Sequence, residues 1–279
     1  MKFGIVVKEE DKNAHELTGR VREYLESKGQ RVLAQKNLKG ADFIITFGGD
    51  GTLIHTACEY APFNIPFVGI NTGNLGFLTA VEANDWQKAI ENLLKGKVFI
   101  SERMILEAKV EPKSPADAKA LAGKQRAKES EIFRAVNEAA IKGFLRIVTL
   151  EIAVGGEKFL KVVGDGVIIA GQTGSTAYSL SSGGPIVDPN LDCFLVTPIN
   201  PIGLPIPSVV LSPKDRILVK VVKGDDVALV IDGQAHQKLT EGDEVEIRRG
   251  KYNVKLVYFN KHHFVRSLNA KFGLGNRVR

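Results

Sequence analysis

A short apolar run that ends in a glycine-flanked carboxylate constrains this chain more than any other feature. Phe43, Ile44, Ile45, Thr46 and Phe47 are largely β-branched or aromatic and read as a buried strand. Gly48, Gly49, Asp50, Gly51 and Thr52 follow at once. Behind them Leu53, Ala57 and Tyr60 recur at near-helical spacing, with Thr52 as the expected N-cap. Strand, glycine turn and helix start form the arrangement in which free backbone N–H groups and the helix dipole meet an anion. A carboxylate there repels that anion unless it takes a proton from a hydroxyl or holds a metal ion. Both tasks belong to phosphoryl transfer. Asp-Gly is also an ordinary turn dipeptide, so these five residues alone leave a simple change of direction open. The run is neither the Gly-x4-Gly-Lys-Ser/Thr phosphate loop nor the Gly-x-Gly-x-x-Gly dinucleotide fingerprint.

The rest of the first hundred residues alternates strands and helices. Lys2 to Val7 reads as a first strand, Ala14, Leu17, Val21, Tyr24 and Leu25 as one helix face closed by Gly29, and Val32, Leu33 and Ala34 as a further strand. Pro66 to Ile70 reads as another strand, and Trp86, Ile90, Leu93 and Leu94 trace a helix that closes at Gly96. Such alternation predicts a parallel sheet covered by helices, with ligands at the carboxyl ends of its strands. The loops at 48–52 and 71–76 both follow strand ends and are expected to share one crevice. Near residue 100 the pattern changes. Val148, Leu150, Ile152 and Val154 alternate toward a Gly155-Gly156 hairpin, and Phe159 to Val163 returns. Ile217, Val219 and Val221, then Val227 to Ile231, Val245 to Ile247 and Val254 to Phe259, supply more strands. The expected fold is an α/β N-terminal domain with a parallel sheet over residues 1–100, followed by an all-β domain with sandwich-like stacked sheets over 101–261. Residues 112–130 are rich in Lys, Ala and polar side chains and read as an excursion between strands.

Composition narrows the function classes. At 279 residues and 44% hydrophobic content, two domains with full cores are within reach. No apolar run is long enough to cross a membrane and no signal peptide opens the chain, which reads as a cytoplasmic protein. Cys58 and Cys193 form no zinc or redox spacing, and His262 and His263, being adjacent, point differently. No metal-ligating set is therefore assigned. The formal charge of +6 suits polyanionic small ligands. Scattered lysines and arginines with only 7% aromatic residues argue against nucleic acid, and the basic tail from Lys271 reads as a solvated terminus.

A second motif sharpens the reading. Asp165-Gly166-Val167-Ile168-Ile169-Ala170 leads into Thr173-Gly174-Ser175-Thr176-Ala177-Tyr178-Ser179-Leu180-Ser181, then Gly183-Gly184-Pro185. Small hydroxyl residues beside glycine offer donors and acceptors while letting a polar ligand approach the backbone. On composition alone the run would be a surface loop. Together with Gly-Gly-Asp-Gly-Thr, with Asn71-Thr72-Gly73-Asn74-Leu75-Gly76-Phe77-Leu78, with Asn137-Glu138 and with Asp232-Gly233-Gln234, all in order along nearly the whole chain, it resembles the NAD kinase family.

The resemblance implies a kinase that moves a phosphoryl group from ATP, or from polyphosphate, to the adenosine-ribose 2′-hydroxyl of NAD, with Mg2+ on the nucleotide phosphates. Asp50 would accept or orient the hydroxyl proton, between Gly49, Gly51 and Thr52. Asn137 and Glu138 would grip the ribose diol, and Gly174, Ser175, Thr176, Ala177, Tyr178, Ser179 and Ser181 would line the nucleotide, Tyr178 by stacking or through its hydroxyl. Asp165 would meet the nicotinamide end, and Asn71 and Gln234 would complete the substrate contacts. His55, one helical turn beyond Gly51, either faces a phosphate or is a solvated surface histidine. The tail 262–279 would return to the first domain, and the β domain would assemble a homodimer or homotetramer. Three departures stand out: Gly171-Gln172 where the family has Thr-Pro, Ile202-Gly203 where it has His-Ser, and Asn74 where Arg is frequent. The first removes a rigid proline beside the ligand segment. Two rival readings are a lipid kinase of the diacylglycerol or sphingosine type, which shares Gly-Gly-Asp-Gly-Thr, and a dinucleotide sensor without turnover.

Overall fold

In the computed structural model, residues 1–8, 11–33, 37–73, 76–111, 132–203 and 205–273 are described, with the side chains of residues 235 and 236 excepted. The chain divides into two units, Met1–Arg103 with Tyr252–Arg279, and Met104–Lys251.

The first unit is the α/β part. Strands β1 (Lys2–Val7), β2 (Arg31–Val32), β3 (Phe43–Phe47) and β4 (Pro66–Asn71) form a parallel sheet in the order β4-β3-β1-β2. A short β5 (Val81–Glu82) pairs parallel to the end of β4. Helix α1 (Lys12–Ser27) starts where the Asp11 carboxylate accepts the Ala14 N–H at 3.0 Å, and it buries Ala14, Leu17, Val21 and Leu25. Helix α3 (Trp86–Leu94) buries Trp86, Ala89, Ile90 and Leu93. Both helices press these stripes against Phe3 and Ile5 of β1, Ile45 and Phe47 of β3, and Val68 and Ile70 of β4, which makes one apolar core. Helix α2 (Asp50–Tyr60) leaves β3 through the turn at Gly48.

The second unit is a two-sheet sandwich. Its strands are β6 (Phe99–Glu111), which enters from the first unit, β7 (Ile132–Ala135), β8 (Glu138–Gly143), β9 (Val148–Val154), β10 (Glu157–Gly164) and β11 (Gly166–Ala170), then β12 (Phe194–Ile199), β13 (Val209–Leu211), β14 (Ile217–Lys223), β15 (Val227–Ile231), β16 (Gln234–Leu239) and β17 (Glu244–Tyr258). One sheet runs antiparallel in the order β10-β9-β14-β17, and the other in the order β13-β12-β11-β8-β15-β16. Leu150, Ile152, Val219, Val245 and Ile247 from the first meet Ile141, Val167, Ile169, Phe194 and Val196 from the second in a single core. The second sheet is apolar on its outer face as well. Ala140, Ile168, Ala170 and Leu195 pack there against Val187 and Tyr178, so the run that contains Tyr178 lies on a buried sheet.

Three local expectations change. Thr52 is not the N-cap: α2 starts at Asp50 with Gly49 in the cap position, because the helix dipole is met by the Asp50 carboxylate from the first turn. The two expected strands at 245–247 and 254–259 are one strand, β17, whose last residues run parallel to β4 in the first unit. The strand expected at 32–34 shortens to Arg31–Val32, and Ala34 lies outside the described residues. Outside them too lie Asn74 and Leu75, the excursion at 112–130 and residues 274–279 of the tail. No helix among the described residues is long and apolar enough to cross a membrane.

The sandwich core sets the first prediction. Leu150 is 0% exposed and Leu145 is 84% exposed. Leu150→Ala is expected to lower stability by about 2–5 kcal/mol, whereas Leu145→Ala changes it by no more than about 0.5 kcal/mol. Urea unfolding of the two variants measures both.

Candidate active site

Asp50 is the first residue of α2, and its carboxylate is the anchor of a second segment. Oδ1 accepts the N–H groups of Leu78 at 3.1 Å and Thr79 at 3.0 Å, and the Thr79 hydroxyl at 3.2 Å. Oδ2 accepts the Phe77 N–H at 2.6 Å. An ionised carboxylate offers about four acceptor positions. Oδ1 is therefore saturated, while Oδ2 keeps room for one more partner. Gly76 is required beside it, since a Cβ there would collide with Asp50 Oδ1 and the Thr79 hydroxyl. The structure thus brings the loop after β3 and the segment after β4 together. Of the residues that do so, Phe77 and Leu78 carried no signal beyond their place in the Asn71 to Leu78 motif, and Thr79, just beyond it, carried none.

The N-terminal end of α2 is open. The N–H groups of Asp50 and Gly51 have no acceptor among the described residues, whereas those of Thr52 and Leu53 turn back to Gly49 O at 3.1 and 3.4 Å. A Cβ at Gly49 or at Gly51 would meet no atom within 4 Å, and neither glycine has a positive φ. Packing does not require glycine at either position. Thr52 is partly buried beside this turn, and His55 is exposed on the helix surface.

Two further groups brace the same segment. Asn71 is 1% exposed and fully engaged: its Nδ2 donates to Glu82 at 3.2 Å and its Oδ1 accepts the Gly73 N–H at 3.2 Å. This pins the turn after β4 from within. On helix α4 (His263–Phe272), His263 lies with Nε2 3.2 Å from Phe77 O, and its ring stacks on Tyr258 at 4.3 Å. Burial holds the imidazole below its ordinary pKa, and because a carbonyl only accepts, the neutral ring carries its proton on Nε2. Arg103, 4% exposed with Nε unpartnered, sits behind Tyr258, its guanidinium 3.4 Å from the phenol oxygen. Asn71 was expected at the site, whereas His263, Tyr258 and Arg103 were not legible as part of it.

The second unit holds the other cluster, and a carboxylate again organises it. Asp232, at φ 46° in the β15–β16 turn, accepts the N–H groups of Val136 at 2.9 Å, Asn137 at 2.8 Å and Glu138 at 3.1 Å. Asn137 O in turn accepts the Gly171 N–H at 3.0 Å. Gly174 packs so closely on that carbonyl that no side chain fits there. The Glu138 carboxyl is buried, receives the Tyr178 N–H, and leaves Oε2 without a partner. Burial first, and the nearby Asp232 charge second, push its pKa up to about 8. Asn137, Glu138, Gly174 and Tyr178 are thus neighbours, with Thr176 and Ala177 partly buried between them.

Other residues of that run serve the fold. Ser175 Oγ donates to Gln172 O at 2.7 Å and accepts the Val187 N–H at 3.2 Å. Ser179 Oγ is 2.9 Å from the Thr197 hydroxyl, which continues to Ser208 at 2.7 Å. Ser181 and Gln234 are exposed. Thr173, outside the expected set, has a buried hydroxyl with no partner. Gln172 replaces the rigidity of a proline with a tie, Nε2 to Asp192 at 3.0 Å, and Asp192 is itself paired to Arg249 at 3.1 Å. Asp165 stands at the far end of β11, four register steps and more from the Glu138 pairing at Ala170, and accepts Asn200 Nδ2 at 2.7 Å. No three His, Cys, Asp or Glu side chains among the described residues converge as metal ligands.

The raised Glu138 pKa has a consequence for stability. In the unfolded chain the carboxyl ionises near its ordinary value of 4.5, while the folded chain keeps the proton up to about 8. Wild-type stability is therefore expected to fall with rising pH across that window and to level off above it. Glu138→Gln has no such loss. Its Tm should match the wild type at the acid end and exceed it by about 3 °C or more near pH 9, as read by thermal unfolding.

The site stands beside known relatives as follows. A family model described as the ATP-NAD kinase N-terminal domain matches residues 35–98, and one described as the ATP-NAD kinase C-terminal domain matches residues 137–259. The chain is 39% identical over 241 residues to an NAD kinase of Natranaerobius thermophilus, covering 85% of this chain and 80% of that protein. It is 36% identical to an NAD kinase of Fusobacterium nucleatum subsp. nucleatum, covering 100% and 99%. Among solved structures, an NAD kinase from Archaeoglobus fulgidus in complex with ATP superposes with a TM-score of 0.75 at 25% identity, covering 98% of each chain. Yeast NADH kinase complexed with NADH shares the fold, with a TM-score of 0.86 at 22% identity over 100% of this chain and 89% of that one. The chain belongs to the NAD kinase family of phosphotransferases, which act on an alcohol group.

Proposed function

We propose that this protein transfers the γ-phosphoryl group of ATP to the 2′-hydroxyl of the adenosine ribose of NAD, yielding NADP. The observation that carries the reading is the start of α2. Two glycines there are bare although packing does not demand it, and two N–H groups have no acceptor among the described residues. Glycine in a helix interior costs roughly 0.5–1 kcal/mol relative to alanine. Its use in the first turn, next to open donors and the positive end of the dipole, suits a phosphate that approaches the backbone. Phosphoryl transfer asks the protein mainly for positioning and for donors aimed at the oxygens where charge collects.

Asp50 then serves through Oδ2, the oxygen with a free acceptor position. It takes the hydrogen bond of the attacking hydroxyl and, as the O–P bond forms, its proton. The donors on Oδ1 and the Phe77 N–H fix the carboxylate so that this oxygen does not wander. Asn137 and Glu138 receive the ribose diol, Thr176 to Tyr178 line the adenine, Asp165 meets the nicotinamide end, and Gln234 closes the turn beside Asn137. Ser175, Ser179 and Asn71 act by holding backbone in place. A Mg2+ ion would fit this chemistry as a companion of the ATP phosphates, held by them rather than by Asp50, whose one open position goes to the hydroxyl, and it would supply charge neutralisation there. Lys142 Nζ lies over the Tyr178 ring, 5.6 Å from its centre. A cytoplasmic setting and assembly as a homodimer or homotetramer complete the reading by analogy with the family. The lipid-kinase alternative falls with the match to both ATP-NAD kinase domains.

A coupled assay of NADP formation from NAD, ATP and Mg2+ tests this. Asp50→Asn keeps an oxygen for Leu78 and Thr79 but sets an amide against the Phe77 N–H. A loss of about 1–3 kcal/mol of stability is expected, with turnover down ~10²–10⁴-fold and NAD still bound. Gly51→Ala separates folding from function. It should leave Tm unchanged or slightly higher and lower turnover by about tenfold or more, since a methyl group then occupies the phosphate approach. NAD binding without turnover from ATP, but with turnover from polyphosphate, would change the donor; no turnover from either would leave a sensor. Full activity in Asp50→Asn would overturn the role of Oδ2.

A further inference from the structure

The peptide unit between Phe77 and Leu78 is bonded on both of its edges. Its N–H, that of Leu78, donates to Asp50 Oδ1 at 3.1 Å, and its C=O, that of Phe77, faces His263 Nε2 at 3.2 Å. A carbonyl only accepts, so Nε2 carries the proton of this contact. The atoms of a trans peptide are coplanar, with N–H and C=O on opposite edges. His263 therefore grips one edge of a rigid plate whose other edge grips Asp50.

The imidazole is itself held from several sides. Its backbone N–H, at the start of α4, donates to Asn260 O at 3.1 Å. Its ring lies 4.3 Å from that of Tyr258 and 20° from parallel. Tyr258 is buried, and its phenol oxygen accepts from the buried Arg103 guanidinium at 3.4 Å. Ser267 Oγ, one helical turn on, stands 3.3 Å from the same Nε2. Stacking fixes the plane of the ring, and the oxygens of Phe77 and Ser267 fix the direction in which Nε2 points.

Without this donor the Phe77 carbonyl would turn toward water. Because the plate is rigid, the Leu78 N–H would leave Oδ1 as it turned. Oδ1 would keep only the Thr79 N–H at 3.0 Å and the Thr79 hydroxyl at 3.2 Å. The two oxygens of a carboxylate move as one, so Oδ2 would shift with Oδ1. Polarisation adds to this: hydrogen bonds in a chain strengthen one another, and a donor on the Phe77 carbonyl makes the Leu78 N–H a better donor to Asp50.

We propose that His263 is a positioning residue for phosphoryl transfer: through the Phe77–Leu78 peptide it sets the orientation of the Asp50 carboxylate, acting on that group rather than on either substrate. The inference rests on the reading that Asp50 Oδ2 receives the proton of the attacking hydroxyl.

Two variants separate the two properties of the imidazole. His263→Phe keeps a ring to stack on Tyr258 and removes the donor. His263→Gln gives up the ring and offers an amide N–H at similar reach. Initial rates of NADP formation from NAD, ATP and Mg2+ are measured for the wild type and both variants, each shown to be folded by thermal unfolding. His263→Phe is expected to lower kcat by about 10–100-fold, as a misplaced catalytic group does, while KM for NAD and for ATP changes by less than about twofold. His263→Gln should turn over at least about fivefold faster than His263→Phe, because the donor is restored. Amide hydrogen exchange of the ligand-free protein reads the same contact without catalysis. The Leu78 N–H should exchange about tenfold faster or more in His263→Phe than in the wild type, and more slowly again in His263→Gln. Should His263→Phe fail to fold, His263→Leu, which also lacks the donor, takes its place with the same expectations.

An unchanged kcat in the donor-less variant would overturn the proposal. So would His263→Gln turning over no faster than His263→Phe, which would assign the effect to lost packing, or a loss carried by KM alone, which would place the residue in substrate binding. Any of these results beside an active wild type leaves the kinase reading standing. No NADP formation by the wild type would overturn that reading and this proposal with it.

Discussion

A partly buried carboxylate that gathers three successive backbone N–H groups from a distant segment is the interaction on which both clusters depend. Asp50 does this for Phe77, Leu78 and Thr79, and Asp232 for Val136, Asn137 and Glu138. In each case the chain at the receiving end is a strand terminus or loop, whose amides would otherwise need water or a ligand. Charge-assisted bonds of this kind are roughly twice as strong as neutral ones. Three together hold irregular backbone as firmly as a strand ladder would. The functional residues are then set by geometry rather than by side-chain packing.

The two anchors differ in what they leave over. Asp50 retains one acceptor position, on Oδ2, and stands at the positive end of α2. Its charge is stabilised by the dipole and by four donors, so the same residue can shape the loop and still face a hydroxyl. Asp232 holds the backbone of residues 136–138 and, after burial, adds a second upward push on the Glu138 pKa. Behind Asp50, the Arg103–Tyr258–His263 stack reaches Phe77 O, so the segment is held from both its N–H and its C=O sides.

Much of the fold was legible in the sequence because burial here follows simple periods. The α1 stripe and the strand 43–47 came through intact, and the alternation at 148–154 marked the sandwich face. Periodicity failed where a strand changes surroundings midway: β17 pairs with β14 early and with β4 late, so its apolar pattern looks like two strands. It failed again at Thr52, since a good capping side chain does not form a cap when an acid two residues earlier already meets the dipole. In the site, chemistry-bearing side chains such as Asp50, Glu138 and Tyr178 stood out by type and motif. Residues that act through backbone, such as Phe77 and Leu78, or from far along the chain, such as His263, leave no mark in local spacing. Gln172 shows the converse: it looked like a loss of rigidity, and the structure gives it a side-chain tie to Asp192.

Phosphorus NMR of the products formed from NAD, ATP and Mg2+ by the wild-type protein is the most direct test of this account. The account predicts that the ATP γ-phosphorus signal is replaced by one new phosphomonoester on the adenosine ribose 2′-oxygen, with the NAD diphosphate intact. Release of inorganic phosphate with NAD unchanged, or a phosphomonoester on any other hydroxyl, would contradict it.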